Sequence, residues 1–352
     1  MRNYTEKRQI IESNPELELC ENGDFRIKPG LIEGYEIIDS HCHIFKSVSQ
    51  LFPPLLQREN EKPLTALIDK SCFPFSMRLF DLNKVYFSDC PTSLWSADGV
   101  KTRFKLFAGA FVLNYATVNR LLSDMDGNGI GEAIVLQINP PGKSCCEDME
   151  EVVSSNHRIH TFASIHPYDK GIPGMIEKYM KMRIKGWKLN PHIWGVPIDD
   201  ERTVSLLLEL SRTGLPILSC SGVGLPQEVM ESSVPTKKTI QDSKTQKIDR
   251  FRHVLDKIPD VKFIMAHGGC YEPGELIGIM KEFPNTYTDI SIQPAQNITR
   301  LIQEVGSERI MFGTDYPFVP QAFSILSVLR ATGDEGVRRN IFSHTAQRVI
   351  GL

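Results

Sequence analysis

The stretch Tyr35-Glu-Ile-Ile-Asp-Ser-His-Cys-His-Ile-Phe45 joins an apolar strand-like run to His41-x-His43. A strand's period of two places both imidazoles on one side. Neutral imidazole is the commonest metal ligand, and two ring nitrogens make half of a tetrahedral zinc shell. If that strand lines a barrel or a sheet crevice, the two rings converge on one ion from its end. The pair is weak alone. With 9 His in 352 residues, chance supplies roughly 0.2 such pairs, and two exposed histidines at a strand end are the bland alternative.

What must position these rings is legible further along. Strand-like runs cover 35–41, 132–138, 160–166, 185–190, 215–220, 261–267, 286–292 and 309–314, each followed by a helix-like segment. Phe251, Val254, Leu255 and Ile258, for example, recur at i, i+3, i+4 and i+7 ahead of the sixth strand. Eight largely apolar strands alternating with helices predict an α/β protein of the (β/α)₈ TIM-barrel type rather than a doubly wound sheet. In such barrels the chemistry sits at the C-terminal strand ends. Those ends carry His41 and His43, His166, Lys188, Cys220, His267 and Asp315. A mouth so furnished is far more specific than the first motif by itself.

Two segments stand apart from the barrel pattern. In residues 1–34, Leu17 and Leu19 alternate, then Phe25 and Ile27, around Glu21-Asn22-Gly23-Asp24. Asn-Gly between alternating apolar residues predicts a hairpin extension. Residues 46–114 follow the first strand with Pro53-Pro54, Pro63, Pro74 and Pro91 as breakers and with many aromatics. They are expected to form a helical insertion that shapes the pocket. The expected organisation is therefore a 1–34 extension and a 35–352 barrel that includes this insertion.

Composition narrows the partners. Hydrophobic residues make 41% of the chain and charged residues 24%, with a net charge of -3. That balance gives no reason to expect nucleic acid or an anionic membrane as partner, and a small-molecule substrate is the partner expected at a barrel mouth. No apolar run approaches the ~20 residues that span a bilayer. The polar N-terminus lacks the apolar stretch of a secretory signal. Eight cysteines without a Cys-x-x-Cys pair read as reduced thiols of a cytoplasmic enzyme. A homodimer is the assembly to expect first.

The chain resembles the amidohydrolase superfamily, in particular the amidohydrolase-related group of metal-dependent hydrolases and some decarboxylases. Ile38-Asp-Ser-His-Cys-His43, Leu122-Ser-Asp-Met-Asp-Gly-Asn-Gly129, Gly186-Trp-Lys-Leu-Asn-Pro191, Met265-Ala-His-Gly-Gly269 and Phe312-Gly-Thr-Asp-Tyr-Pro317 carry the resemblance. It implies one or two divalent ions, usually zinc, at the barrel mouth. By that likeness His41 and His43 are the first two metal ligands. Asp315 binds metal and shuttles the proton, and His267 is a second-metal ligand or a catalytic group. Lys188 stands where some members carry a carboxylated lysine bridging two metals, and a lysine binding a substrate carboxylate is the equal alternative.

One departure falls on the fifth strand. Where the family reads Pro-x-x-x-His-x-Gly, this chain has Pro216-Ile-Leu-Ser-Cys-Ser-Gly222. Cys220 is then either a thiolate ligand, at the ~2.3 Å typical of zinc, or a small wall residue. His166 and His192 stand as substrate contacts, and His192 could partly replace the missing histidine. The implied chemistry is hydrolysis. A divalent ion lowers the pKa of a bound water to ~7, Asp315 takes the proton, and an amide, ester or lactone carbonyl is attacked. The alternatives are metal-dependent non-oxidative decarboxylation of an aromatic or enolic acid, and a catalytically inactive barrel that serves as a binding protein.

Overall fold

Each barrel strand carries two buried faces, one turned into the barrel and one against helices. The computed structural model describes residues 7–20, 24–44, 116–138, 146–224 and 237–352, with Ser96, Ala97, Val100 and Glu231. Apart from three residues, the 46–114 insertion lies outside the described residues. So does the hairpin turn 21–23.

A short hairpin precedes the barrel: β1 (Leu17–Leu19) pairs antiparallel with β2 (Phe25–Ile27), as the sequence pattern predicts. Eight parallel strands follow: β3 (Ile38–Cys42), β4 (Glu132–Leu136), β5 (Ile159–Ala163), β6 (Gly186–Leu189), β7 (Ile217–Cys220), β8 (Phe263–Ala266), β9 (Thr286–Asp289) and β10 (Ile310–Met311). Neighbours in sequence are neighbours in the sheet. Backbone bonds from Ser40 N to Phe312 O (2.9 Å) and from His43 N to Tyr316 O (2.7 Å) join the last strand to the first. The expected (β/α)₈ barrel is what the chain forms.

Inside, Ile38, Ile134, Leu136, Phe162, Leu218, Ile264, Ala266 and Met311 make one cluster, joined by Val349 and Ile350 of the C-terminal segment. The outward residues, among them Ala133, Val135, Trp187, Ile217 and Phe263, pack into the larger cluster under the helices. Gly186 lets the Phe162 ring into the interior, because a Cβ there would lie 2.5 Å from that ring. Lys188 pairs with Leu218, and Leu218 with Ile264, so Lys188 shares the inward register of two interior residues. Among the described residues no helix is long and apolar enough to cross a membrane.

Candidate metal centre

At the end of β3 both predicted histidines turn to the same place. His43 Nε2 lies 3.1 Å from Asp315 Oδ1, and His41 Nε2 lies 3.6 Å from the same oxygen. The backbone holds them together across the barrel seam, where Asp315 N donates to His41 O at 2.7 Å. Asp315 adopts φ of 60° and His267 φ of 64°, left-handed conformations rare for residues with a Cβ and common where structure over-determines a functional site.

The tautomers follow from the outer partners. His43 Nδ1 faces the Leu136 carbonyl at 2.7 Å, and a carbonyl only accepts, so Nδ1 carries hydrogen. His41 Nδ1 donates to Asp289 Oδ2 at 2.9 Å. Burial lowers the His41 pKa to about 4, so its ring is neutral near pH 7 and Nε2 is a bare lone pair. That Nε2 is buried and has no hydrogen-bond partner. His41 Nε2, His43 Nε2 and Asp315 Oδ1 thus form a cluster of electron-pair donors, and a divalent cation would satisfy them together. The residues fit a metal.

Asp289 braces this arrangement. Its Oδ1 accepts from His267 N (3.1 Å) and Ser291 N (3.0 Å), and also from the Ser291 hydroxyl. Ser291 Oγ in turn lies 2.8 Å from His267 Nδ1. Burial would raise the Asp289 pKa, but His41, His267 and Ser291 hold it well below the usual carboxylate range. His41, His267 and Asp289 make a second close group, with the two imidazole centroids 4.5 Å apart. Asp39 sits beneath, accepting from His41 N, Thr314 N and Thr314 Oγ1, and burial raises its pKa to about 7.

The other predicted residues lie beside this cluster. Lys188 Nζ donates to Cys220 Sγ at 3.0 Å, both buried. Burial would raise the Cys220 pKa, yet Lys188 and hydrogen bonds from His192 and His267 hold it well below the ordinary thiol value. Burial also opposes charge on His267, but the Cys220 sulfur, Asp315 and Asp289 outweigh it and raise its pKa. His192 Nδ1 is fixed by Gln246 Oε1 at 2.8 Å. His267 therefore joins two halves, a donor cluster and a Lys188–Cys220–His192 group. Cys220 is in neither of the two close ligand groups among the described residues. His166 stands in an aromatic corner, 5.2 Å from the Trp194 ring and 5.8 Å from Tyr168, with Nδ1 accepting from Tyr168 N.

Sequence reasoning passed over Asp289, Ser291 and Asp39. Asp289 closes its strand only in the structure, and inside the run expected over 286–292 the strand-end criterion that selects Cys220 does not reach it.

The amidohydrolase family profile matches residues 38–352, and the chain belongs to that family, as its motifs indicated. No curated protein matches it significantly. The 5-carboxyvanillate decarboxylase of Sphingomonas paucimobilis is 16% identical, over 91% of this chain and 100% of its own, with a TM-score of 0.59. That of Novosphingobium aromaticivorans DSM 12444, complexed with manganese and 4-hydroxy-3-methoxy-5-nitrobenzoic acid, is 14% identical over 91% of this chain and 97% of its own (TM-score 0.60). A probable 2-pyrone-4,6-dicarboxylic acid hydrolase from Acinetobacter baumannii, with citric acid bound, is 10% identical over 90% and 100%, at a TM-score of 0.55. At these identities the likeness is one of fold. The family is enzymatic and metal-dependent.

Proposed function

We propose that this protein is a metal-dependent enzyme that removes carbon dioxide non-oxidatively from a small aromatic or enolic acid at the barrel mouth. The observation that carries the reading is the convergence of His41 Nε2 and His43 Nε2 on Asp315 Oδ1, at 3.6 and 3.1 Å. A divalent ion held by His41, His43 and Asp315, with His267 beside it, would chelate a substrate carboxylate and a neighbouring hydroxyl and stabilise developing negative charge. The donor set of imidazole and carboxylate suits zinc, the ion expected from the sequence, and manganese, which the Novosphingobium neighbour carries.

The chain's own groups supply the rest. Asp289 fixes the His41 ring, and both the His41 and His43 rings are buried at the end of β3. Burial would raise the Asp315 pKa, but His43 and His267 hold it below the usual carboxylate value, so Asp315 starts ionised and first takes the proton of the substrate's neighbouring hydroxyl. When the bond to the carboxyl carbon breaks, its electron pair stays on the substrate carbon, and Asp315 returns that proton there. Lys188 is buried beside the cluster, with its Nζ bonded to the Cys220 sulfur. Two of the three reported neighbours are decarboxylases, and they support this reaction over hydrolysis.

Hydrolysis of a lactone or ester is the second reading, supported by the pyrone hydrolase neighbour. In it Asp315 accepts a proton from the attacking water. The test is turnover by metal-reconstituted protein of 5-carboxyvanillate and 2-pyrone-4,6-dicarboxylate, in deuterated and in ¹⁸O-labelled water. Carbon dioxide release with one deuterium on the vacated carbon is the expected result. Label from ¹⁸O-water in a ring-opened product would replace decarboxylation by hydrolysis. A protein that binds both acids and turns over neither would be the inactive binding barrel.

A further inference from the structure

Tyr316 follows Asp315 directly, and its main chain pairs with the end of the strand that carries His43. Its carbonyl accepts from His43 N at 2.7 Å, its N donates to Thr314 Oγ1 at 3.0 Å, and it bridges to Cys42. Its phenol, on a residue only 2% exposed, donates to Asp124 Oδ2 at 3.0 Å.

Asp124 belongs to the helix Val118–Gly127, whose N-cap Thr117 accepts from Arg120 N. Arg120 Nε reaches both Asp124 oxygens, at 3.2 and 3.1 Å. Its Nη2 donates in turn to Asp24, which immediately precedes β2 and is itself buried. The same hairpin is tied to that helix by Ile27 N, which donates to Asn128 Oδ1 at 3.2 Å. It is also anchored on the barrel by the Phe25 and Phe323 rings, 5.2 Å apart. Asp24 lies outside the family match, which begins at residue 38.

We infer that Asp24 is a positioning residue for the metal centre, acting through Arg120, Asp124 and the Tyr316 phenol on the backbone that holds His43 and Asp315. The physical reason is that Arg120 is shared. With Asp24 present, the guanidinium is held from both sides and Asp124 is fixed as the acceptor for Tyr316. Without it, Arg120 and Asp124 can re-pair in other geometries, and the 315–316 segment loses one of its restraints. The inference rests on the metal-site part of the functional reading and is independent of whether the reaction is decarboxylation or hydrolysis.

The experiment measures Mn²⁺ and Zn²⁺ affinity by competition with a chelating dye, and thermal unfolding of the metal-free protein. The proteins are wild type, Asp24→Asn, Asp24→Glu, Tyr316→Phe and Asp24→Asn/Tyr316→Phe. Asp24→Asn and Tyr316→Phe are each expected to weaken metal binding about tenfold, the scale of a lost outer hydrogen bond at a metal site. Asp24→Glu should restore most of the affinity. The double variant should match the single ones, because both cut one chain of contacts. Unchanged affinity with a lowered unfolding temperature would make the network purely structural and overturn the inference. So would additive losses in the double variant. Tyr316→Phe removes one hydroxyl and keeps the test valid if Asp24→Asn does not fold. A wild type that binds neither ion would remove the functional reading as well, whereas a binding wild type matched by its variants removes this inference alone.

Discussion

His41 Nδ1 and Asp289 Oδ2 lie 2.9 Å apart, both side chains fully buried. A neutral imidazole can turn either nitrogen toward an ion, and this contact decides which one. Asp289→Asn puts an amide there, which either presents hydrogen to hydrogen or gives up the bonds from His267 N and Ser291. Metal affinity is expected to fall about 10- to 100-fold, as for other outer partners of ligating histidines. Circular dichroism should show the barrel intact. An affinity within twofold of wild type would mean that His41 is oriented by packing alone.

That pair also marks the limit of what the sequence discloses. Most of the eight strands are legible because they bury apolar residues on both faces, as β4 does with Ile134 inside and Val135 outside. Their ends are less so. The seventh strand, expected over 286–292, stops at Asp289, and by Ile292 the backbone has reached φ of 56°. The ladder stops where side chains turn to the site. The N-cap of the helix Glu201–Ser211 is a local feature, with the Asp200 side chain accepting from Arg202 N two residues on. Asp289 and His41 are 248 residues apart, and no spacing rule spans that distance. Asp24 was read only as part of a turn, because its partners Arg120, Asp124 and Tyr316 come together through the fold.

Asp315→Asn tests proton transfer separately from metal binding. The amide keeps an oxygen for the ion and loses the ability to carry a proton. kcat should drop by about 10²- to 10⁴-fold, the usual contribution of general acid–base catalysis, with a much smaller change in KM. Metal content should stay above half of wild type. Turnover within a few-fold of wild type would move the proton carrier elsewhere, with His267 the next residue to replace.

Asp124 gives stability a pH dependence of known sign. Burial pushes its carboxyl up to about 6 from the usual 3.8, with Arg120 pulling the other way. The native state therefore holds the proton more tightly than the unfolded chain does. This contribution is complete below about pH 4 and is lost as pH rises through about 6. Asp124→Asn removes the titration. The stability difference between wild type and variant should therefore shift against wild type by on the order of 2–3 kcal/mol between pH 4 and pH 7. Urea unfolding of the metal-free proteins across that range measures it. A difference that stays constant would mean that Arg120 keeps Asp124 ionised throughout.

Cys220 is where this chain leaves the family pattern, and its neighbour decides what is expected of it. Lys188 Nζ sits 3.0 Å from the sulfur on a residue only 1% exposed. A thiolate paired with a buried ammonium satisfies both groups, and coordination would have to compete with that pairing. Cobalt-substituted wild type is therefore expected to show no sulfur-to-metal charge-transfer band, and Cys220→Ser should bind metal within about twofold of wild type. Stability is the quantity that should move. A neutral hydroxyl leaves Lys188 without its counter-charge, at a cost of about 1–3 kcal/mol. Replacing both residues, Lys188→Met with Cys220→Ala, should cost less than the sum of the single replacements, since neither charge is then stranded. A cobalt–thiolate band in wild type that vanishes in Cys220→Ser, together with a tenfold loss of affinity, would instead place the sulfur in the coordination shell. Lys188 would then need another partner, and a substrate carboxylate is the one the mouth of the barrel could offer.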